Sequence, residues 1–385
     1  MTEKNAIDIL NTLVSFDTTS SKSNLHLIEF IESYLNKYKI KSLLTYDSSK
    51  KKANLFATIG SGKEGGIMLS GHTDTVPIGN QVWNDDPFHL TQKENKLYGR
   101  GTADMKGFLA LILSRVPKMI STDLAKPIHL AFSYDEEVGC IGVHQLLDII
   151  NSNSIKPKFC IVGEPTSMEV VVGHKGKYSY QVEVKGLACH SGQAPFGVNA
   201  VDYAVKLISY ITEIAKEKSI KGPFDYDYEV PYSTLHTGVI SGGTILNIVP
   251  DSCRFEFEIR YLTEDNPKEL VQKIKLYAKE NLIPNMHKIS STTDIKFKEK
   301  VTYPGLLIEA NSEPVRYIKK LLNNEKHKKV IFGSEGGLFQ EKLNLPTVVC
   351  GPGSIDQAHK TNEYISIDQL EKGGKFLDDL INSCH

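Results

Sequence analysis

The stretch from Gly66 to Pro77 narrows what this chain can fold into more than any other. Gly66-Ile67-Met68-Leu69-Ser70 is a short apolar run with glycines on either side, the pattern of a buried parallel strand. Gly71-His72-Thr73-Asp74-Thr75-Val76-Pro77 follows at once. Open α/β sheets bind their ligands beyond the carboxyl ends of their strands, where His72 falls. Asp74 lies two residues on, close enough to fold back onto the ring. A carboxylate that accepts one ring N–H fixes the tautomer and leaves the other nitrogen free for a metal.

The same design recurs along the chain. Ile128-His129-Leu130-Ala131-Phe132-Ser133-Tyr134 reads as a strand and runs into Asp135-Glu136-Glu137. Three adjacent acids repel one another unless cations or protons neutralise them. Phe159-Cys160-Ile161-Val162 leads to Gly163-Glu164-Pro165, and Pro346-Thr347-Val348-Val349-Cys350 leads through a glycine loop to His359. Asp104 stands at or near the start of an apolar helix that begins at Phe108. The glycines around it match neither G-x-G-x-x-G nor the P-loop pattern, so a phosphate cradle ranks low. Four strands thus deliver a His or a carboxylate to one sheet edge, which predicts a metal site.

Size and charge exclude several classes of function. At 385 residues, with 40% apolar and 24% charged residues, the chain can bury a large core and is expected to hold two domains. A net charge of −1 makes no electrostatic case for nucleic acid or an anionic membrane surface. No apolar run approaches the ~20 residues of a bilayer span. The opening Met1-Thr2-Glu3-Lys4-Asn5 lacks the basic-then-apolar order of a signal peptide, and the six cysteines form no C-x-x-C pair. Reduced thiols in a cytoplasmic protein are the expectation.

Between Gly176 and about Asp294 the pattern changes. Lys177–Lys185 alternates like a one-sided strand, and Val201, Ala204, Val205, Ile208 and Ile211 form a helical stripe. Strands near 234–241 and 252–260 follow, then a helix with Pro267 at its first position, then a strand near 293–298. The order β-α-β-β-α-β is the split-βαβ sandwich. It interrupts the first domain, because His359 comes afterwards. The expected limits are 1–176 and 295–385 for the catalytic domain and 177–294 for the insert.

Together, His72-Thr73-Asp74, Gly101-Thr102-Ala103-Asp104, Glu136-Glu137, Gly163-Glu164-Pro165-Thr166 and Ala358-His359-Lys360 resemble the five motifs of the co-catalytic zinc aminoacylase and deacetylase metallopeptidases. The likeness covers essentially the whole chain. It implies an α/β zinc-peptidase-like catalytic domain, with a mainly parallel mixed sheet between helices. The inserted split-βαβ, ferredoxin-like domain would serve as a lid and dimerisation surface. It implies an amide hydrolase acting on a small N-acyl amino acid, working as a homodimer, with two Zn2+ per subunit. The oxygen and imidazole donors would also accept Co2+ or Mn2+.

By that resemblance, His72, Asp104 and Glu164 hold one zinc, and Glu137, His359 and the same Asp104 hold the other. Asp74 orients His72, and Glu136 is the general base for hydroxide attack on the amide carbonyl. His190 supports the oxyanion, and Asn247 joins the substrate-binding residues. Arg260 closes a strand on the face opposite Phe255, Phe257 and Ile259, and suits bidentate capture of a carboxylate. The loop holding Gly333 and Ser334 adds hydrogen bonds to substrate. From the residues alone, a two-metal phosphoesterase and a non-catalytic metal- or amino-acid-binding protein stay open as other classes.

Overall fold

A computed structural model describes residues 5–384; Met1, Thr2, Glu3 and Lys4, which entered the reading against a signal peptide, lie outside them. The chain forms two compact units. The first takes the described residues up to Gly173, then Leu306–Lys329, then those from Ser334 on; the second takes His174–Gly305 and Val330–Gly333.

Among the described residues, the first unit is built on a nine-stranded mixed sheet. Its strand order is Ser42–Tyr46, Ala53–Ile59, Ile128–Ser133, Ile67–His72, Phe159–Val162, Thr347–Val349, Val170–His174 and Leu306–Leu307, with His327–Val330 also paired to Val170–His174. The four strands from Ile128–Ser133 to Thr347–Val349 run parallel to one another, whereas Ala53–Ile59 and Val170–His174, which flank them, and the Ser42–Tyr46 edge pair antiparallel. Every residue of Ile67–His72 and of Ile128–Ser133 is buried, as expected of parallel strands covered on both faces.

The helix Gly107–Ser121 brings Phe108, Leu109 and Ile112 into the core with Leu69 and Leu130. The helix and the residues just before it approach the sheet closely at two strand-end glycines, and the Phe108 ring leaves no room for a side chain at Gly163. A Cβ on Gly71 would stand 2.7 Å from Met105 Cε, and one on Gly163 would stand 2.0 Å from Phe108 Cδ1. These glycines immediately precede His72 and Glu164, so close packing sets where both side chains begin.

The second unit is a four-stranded antiparallel sheet in the order Thr234–Gly242, Ser252–Tyr261, Gly176–Lys185, Asp294–Tyr303. The helices Ala200–Lys221 and Pro267–Tyr277 share a core with it, through residues such as Leu207, Ile211, Phe255, Phe257 and Ile274. Asn199 and Asn266 cap these helices by accepting backbone N–H groups with their side chains. The chain order is β-α-β-β-α-β. The unit runs to Gly305 because Asp294–Tyr303 pairs with Gly176–Lys185 as far as Tyr303 and Lys177.

Candidate metal centre

Because Ile67–His72, Ile128–Ser133, Phe159–Val162 and Thr347–Val349 are parallel, their carboxyl ends share one edge. His72 ends the first strand, and Glu136 and Glu137 sit in the turn after the second. Glu164 follows the third by two residues. His359 follows the fourth, after the Ile355–Gln357 turn. Asp104 lies just ahead of the helix Gly107–Ser121, with extended rather than helical dihedrals, φ −123° and ψ 90°.

The side chains converge on two groups. His72 Nε2 stands 2.9 Å from Asp104 Oδ1 and 3.9 Å from Glu164 Oε2. His359 Nε2 stands 2.9 Å from Glu137 Oε2 and 3.4 Å from Asp104 Oδ2. Asp104 belongs to both groups, with one carboxylate oxygen turned to each histidine. In each group the three ligand atoms lie within 4.8 Å of one another.

This arrangement asks for positive charge. His72 Nδ1 is 2.9 Å from the carbonyl of Asp74, an acceptor only, so that nitrogen carries the proton. The other nitrogen, Nε2, faces two carboxylates. Burial pushes the Glu164 carboxyl well up, and pushes Glu137 up to about 7 with help from the Asp104 charge. Burial also acts upward on Asp104, but the His359 and His72 rings outweigh it and hold that carboxyl well below the usual range. Glu137 Oε1 and Glu164 Oε1 are buried with no hydrogen-bond partner. A buried, unpaired carboxylate oxygen is costly unless a cation meets it. Two imidazoles and three carboxylates, with no thiolate, are the donor set of a borderline divalent cation, and they fit a pair of them.

A family model for peptidase family M20/M25/M40 matches residues 68–383. The chain belongs to that family. It is 32% identical over 372 residues to the acetylornithine deacetylase of Pasteurella multocida, covering 96% of this chain and 94% of that one. Its fold matches the M20 family metallo-carboxypeptidase Sso-CP2 of Sulfolobus solfataricus with a TM-score of 0.77 at 19% identity, over 98% of each chain. It also matches the Bacillus subtilis YXEP protein, described as a dinuclear metal binding peptidase of the M20 family, with a TM-score of 0.68 at 14% identity, over 98% of this chain and 96% of that one.

In this M20 family member the carboxylate of Asp74 stays within ion-pair distance of the His72 ring and makes further contacts besides. It lies 3.6 Å from Nδ1, while the main-chain carbonyl of the same residue takes the shorter contact. The carboxylate also accepts the Ser20 hydroxyl at 2.7 Å and the main-chain N–H groups of Glu136 and Glu137 at 3.1 and 3.3 Å. It therefore pins the turn that carries the two glutamates.

Two further residues escaped the reading of the sequence. The buried Glu363 accepts Arg100 Nη1 at 2.8 Å and the main-chain N–H groups of Gly101, Ala103 and Asp104 at 2.9, 2.9 and 3.1 Å. This clamp holds the backbone from which Asp104 reaches both histidines. Neither Arg100 nor Glu363 carries a local signal, because they lie 263 positions apart.

The second unit holds most of the other candidates. His190 and Asn247 are exposed neighbours there: His190 bridges to Ile248, and Ser191 N donates to the Asn247 carbonyl at 2.9 Å. Arg260 donates through Nη1 to the Tyr303 hydroxyl at 2.7 Å and through Nε to Glu258 at 3.1 Å. Gly333 lies against the Tyr303 ring, which leaves no room for a side chain. Ser334 belongs to the first unit, is buried, and accepts the Gly336 N–H at 3.2 Å.

Proposed function

We propose that this chain is an acetylornithine deacetylase, removing acetate from N2-acetyl-L-ornithine to give L-ornithine in arginine biosynthesis. The observation that carries the reading is the carboxylate of Asp104 shared between two ligand groups at one sheet edge. Near-full-length similarity to the Pasteurella multocida enzyme supports the substrate. His72, Asp104 and Glu164 would hold one zinc ion and Glu137, Asp104 and His359 a second. When bound, such ions polarise a scissile carbonyl and lower the pKa of the attacking water.

Glu136 accepts the proton of that water and returns it to the leaving amine. Burial holds its carboxyl well above the ordinary range. Arg260 grips the substrate α-carboxylate through its planar fork. Asn247, Gly333 and Ser334 add polar contacts to the substrate. His190 supports the oxyanion that develops during attack.

The working form is a homodimer in the cytoplasm. Its second unit, 174–305, presents an edge strand, Thr234–Gly242, followed by a loop rich in exposed apolar residues. Ile245 and Ile248 are exposed, and Leu246 between them is 99% exposed. Such a surface is suited to being covered by a second copy of the chain.

The test is kcat/KM with acetylornithine, succinyl-diaminopimelate, a dipeptide and several acetylated amino acids. Acetylornithine should give the highest value. A higher value for succinyl-diaminopimelate would make the chain a desuccinylase of the same family. Turnover of a phosphate ester alone would overturn amide hydrolysis.

A further inference from the structure

The turn that carries Glu136 ends on a cysteine that the proposed chemistry leaves unused. Cys140 is a free thiol with no exposed surface. Its backbone is left-handed, with φ +57°. Glycine takes that conformation readily, and a residue with a Cβ does so only against steric resistance. Such outliers persist where the surroundings enforce them, and they gather at functional sites.

What the side chain does here is specific. The thiol donates to Glu136 Oε1, with Sγ 3.4 Å from the oxygen. The main-chain N–H of the same cysteine donates to the Glu136 carbonyl at 2.8 Å. One residue thus holds both the backbone and the carboxylate of the proposed general base. The left-handed backbone folds Cys140 back over the residue four positions earlier.

We propose that Cys140 is a positioning residue for Glu136, its thiol fixing one carboxylate oxygen so that the other is held ready for the proton of the attacking water. A thiol is a weak donor. It orients the carboxylate without neutralising it. The inference rests on the general-base role assigned to Glu136.

Three variants separate positioning from packing: Cys140→Ala, Cys140→Gly and Cys140→Ser. Glycine relieves the left-handed backbone and removes the donor, whereas serine keeps a donor. With acetylornithine, Cys140→Ala and Cys140→Gly should lose about tenfold in kcat, inside the range that misplacing a reacting group costs. KM, bound metal and the thermal midpoint should stay at wild-type values, and Cys140→Ser should retain most of kcat. A kcat unchanged in Cys140→Gly, or a serine variant as slow as the alanine one, would overturn the proposal.

A second readout needs no turnover. The S–H infrared band of Cys140, isolated by subtracting the Cys140→Ser spectrum, should shift to that of a free thiol in Glu136→Ala. A band that does not move overturns the hydrogen bond. Absence of acetylornithine hydrolysis by the wild type would instead strike the proposed function, leaving the infrared result to decide the contact.

Discussion

The carboxylate of Asp74 accepts the main-chain N–H of Glu136 at 3.1 Å. Through this bond the strand that ends in His72 is tied to the turn that presents both glutamates. Ser20 and Glu137 N–H donate to the same carboxylate, so its position is set from three sides. Asp74→Asn should therefore disturb more than the orientation of one ring. Its amide nitrogen would face donors, and the turn would lose an acceptor. The expected loss is about 10- to 100-fold in metal affinity or kcat, the range for residues that support metal ligands. Metal titration with a competing chelator, beside kcat, checks this; unchanged metal affinity and kcat would show that the turn holds itself.

Glu136 and Glu137 are adjacent but stand in different surroundings. Glu137 contacts His359 at 2.9 Å, whereas Glu136 contacts the thiol of Cys140. Glu136→Gln should keep its metal and lose at least ~10²-fold in kcat, the low end for removing general acid–base catalysis. Glu137→Gln should shed metal on dialysis. Elemental analysis after dialysis tests the pair, and the opposite pattern would exchange their roles.

The buried pair of Arg100 and Glu363 yields a stability prediction. Glu363→Gln leaves the guanidinium buried without its counter-charge. Breaking a buried pair from one side costs about 3–5 kcal/mol. Urea unfolding of the metal-free protein should show a loss of that order. A loss no larger than that of an exposed ion pair such as Lys156–Glu64 would mean that the clamp on the Asp104 loop is held by backbone alone.

His174 predicts a pH dependence. Burial, aided by the charge of Arg260, pushes its imidazole down to about 4 from 6.5. Above pH 6.5 the ring is neutral whether the chain is folded or not, and its contribution to stability is whole. Between pH 6.5 and 4 the unfolded chain takes up a proton that the folded ring refuses. Stability then falls by about 1.4 kcal/mol per pH unit, or about 3 kcal/mol across the window. The unfolding free energy of the metal-free wild type should drop more steeply over that window than that of His174→Asn. Equal slopes would show that the ring is not held neutral.

The proposed dimer can be tested by mixing two inactive variants, His190→Ala and Glu136→Gln, unfolded and refolded together. If His190 serves the partner's metal pair, one site of each mixed dimer has both residues intact. Activity should then return, to a ceiling of about one site in four from random pairing. Mixed dimers confirmed by mass but without activity would show that His190 does not act across the dimer.

Much of this protein is written locally in its sequence. The strands that carry His72, Glu137, Glu164 and His359 appear as apolar runs, because a parallel strand covered on both faces must be apolar throughout. A His or acid directly after such a run then falls at the ligand-binding edge. The β-α-β-β-α-β order of the insert is legible for a similar reason, since its alternation and helical stripes are short-range patterns. Tertiary structure decided what depends on residues far apart in the chain. It set which oxygen of Asp104 faces which histidine and tied the Asp74 carboxylate to the Glu136 turn as well as to the His72 ring. It paired Arg100 with Glu363, and it carried the second unit on to Gly305 through the pairing of Asp294–Tyr303. Periodicity reports only which side of an element is buried. Which atoms meet there depends on packing between segments whose separation in sequence leaves no local trace.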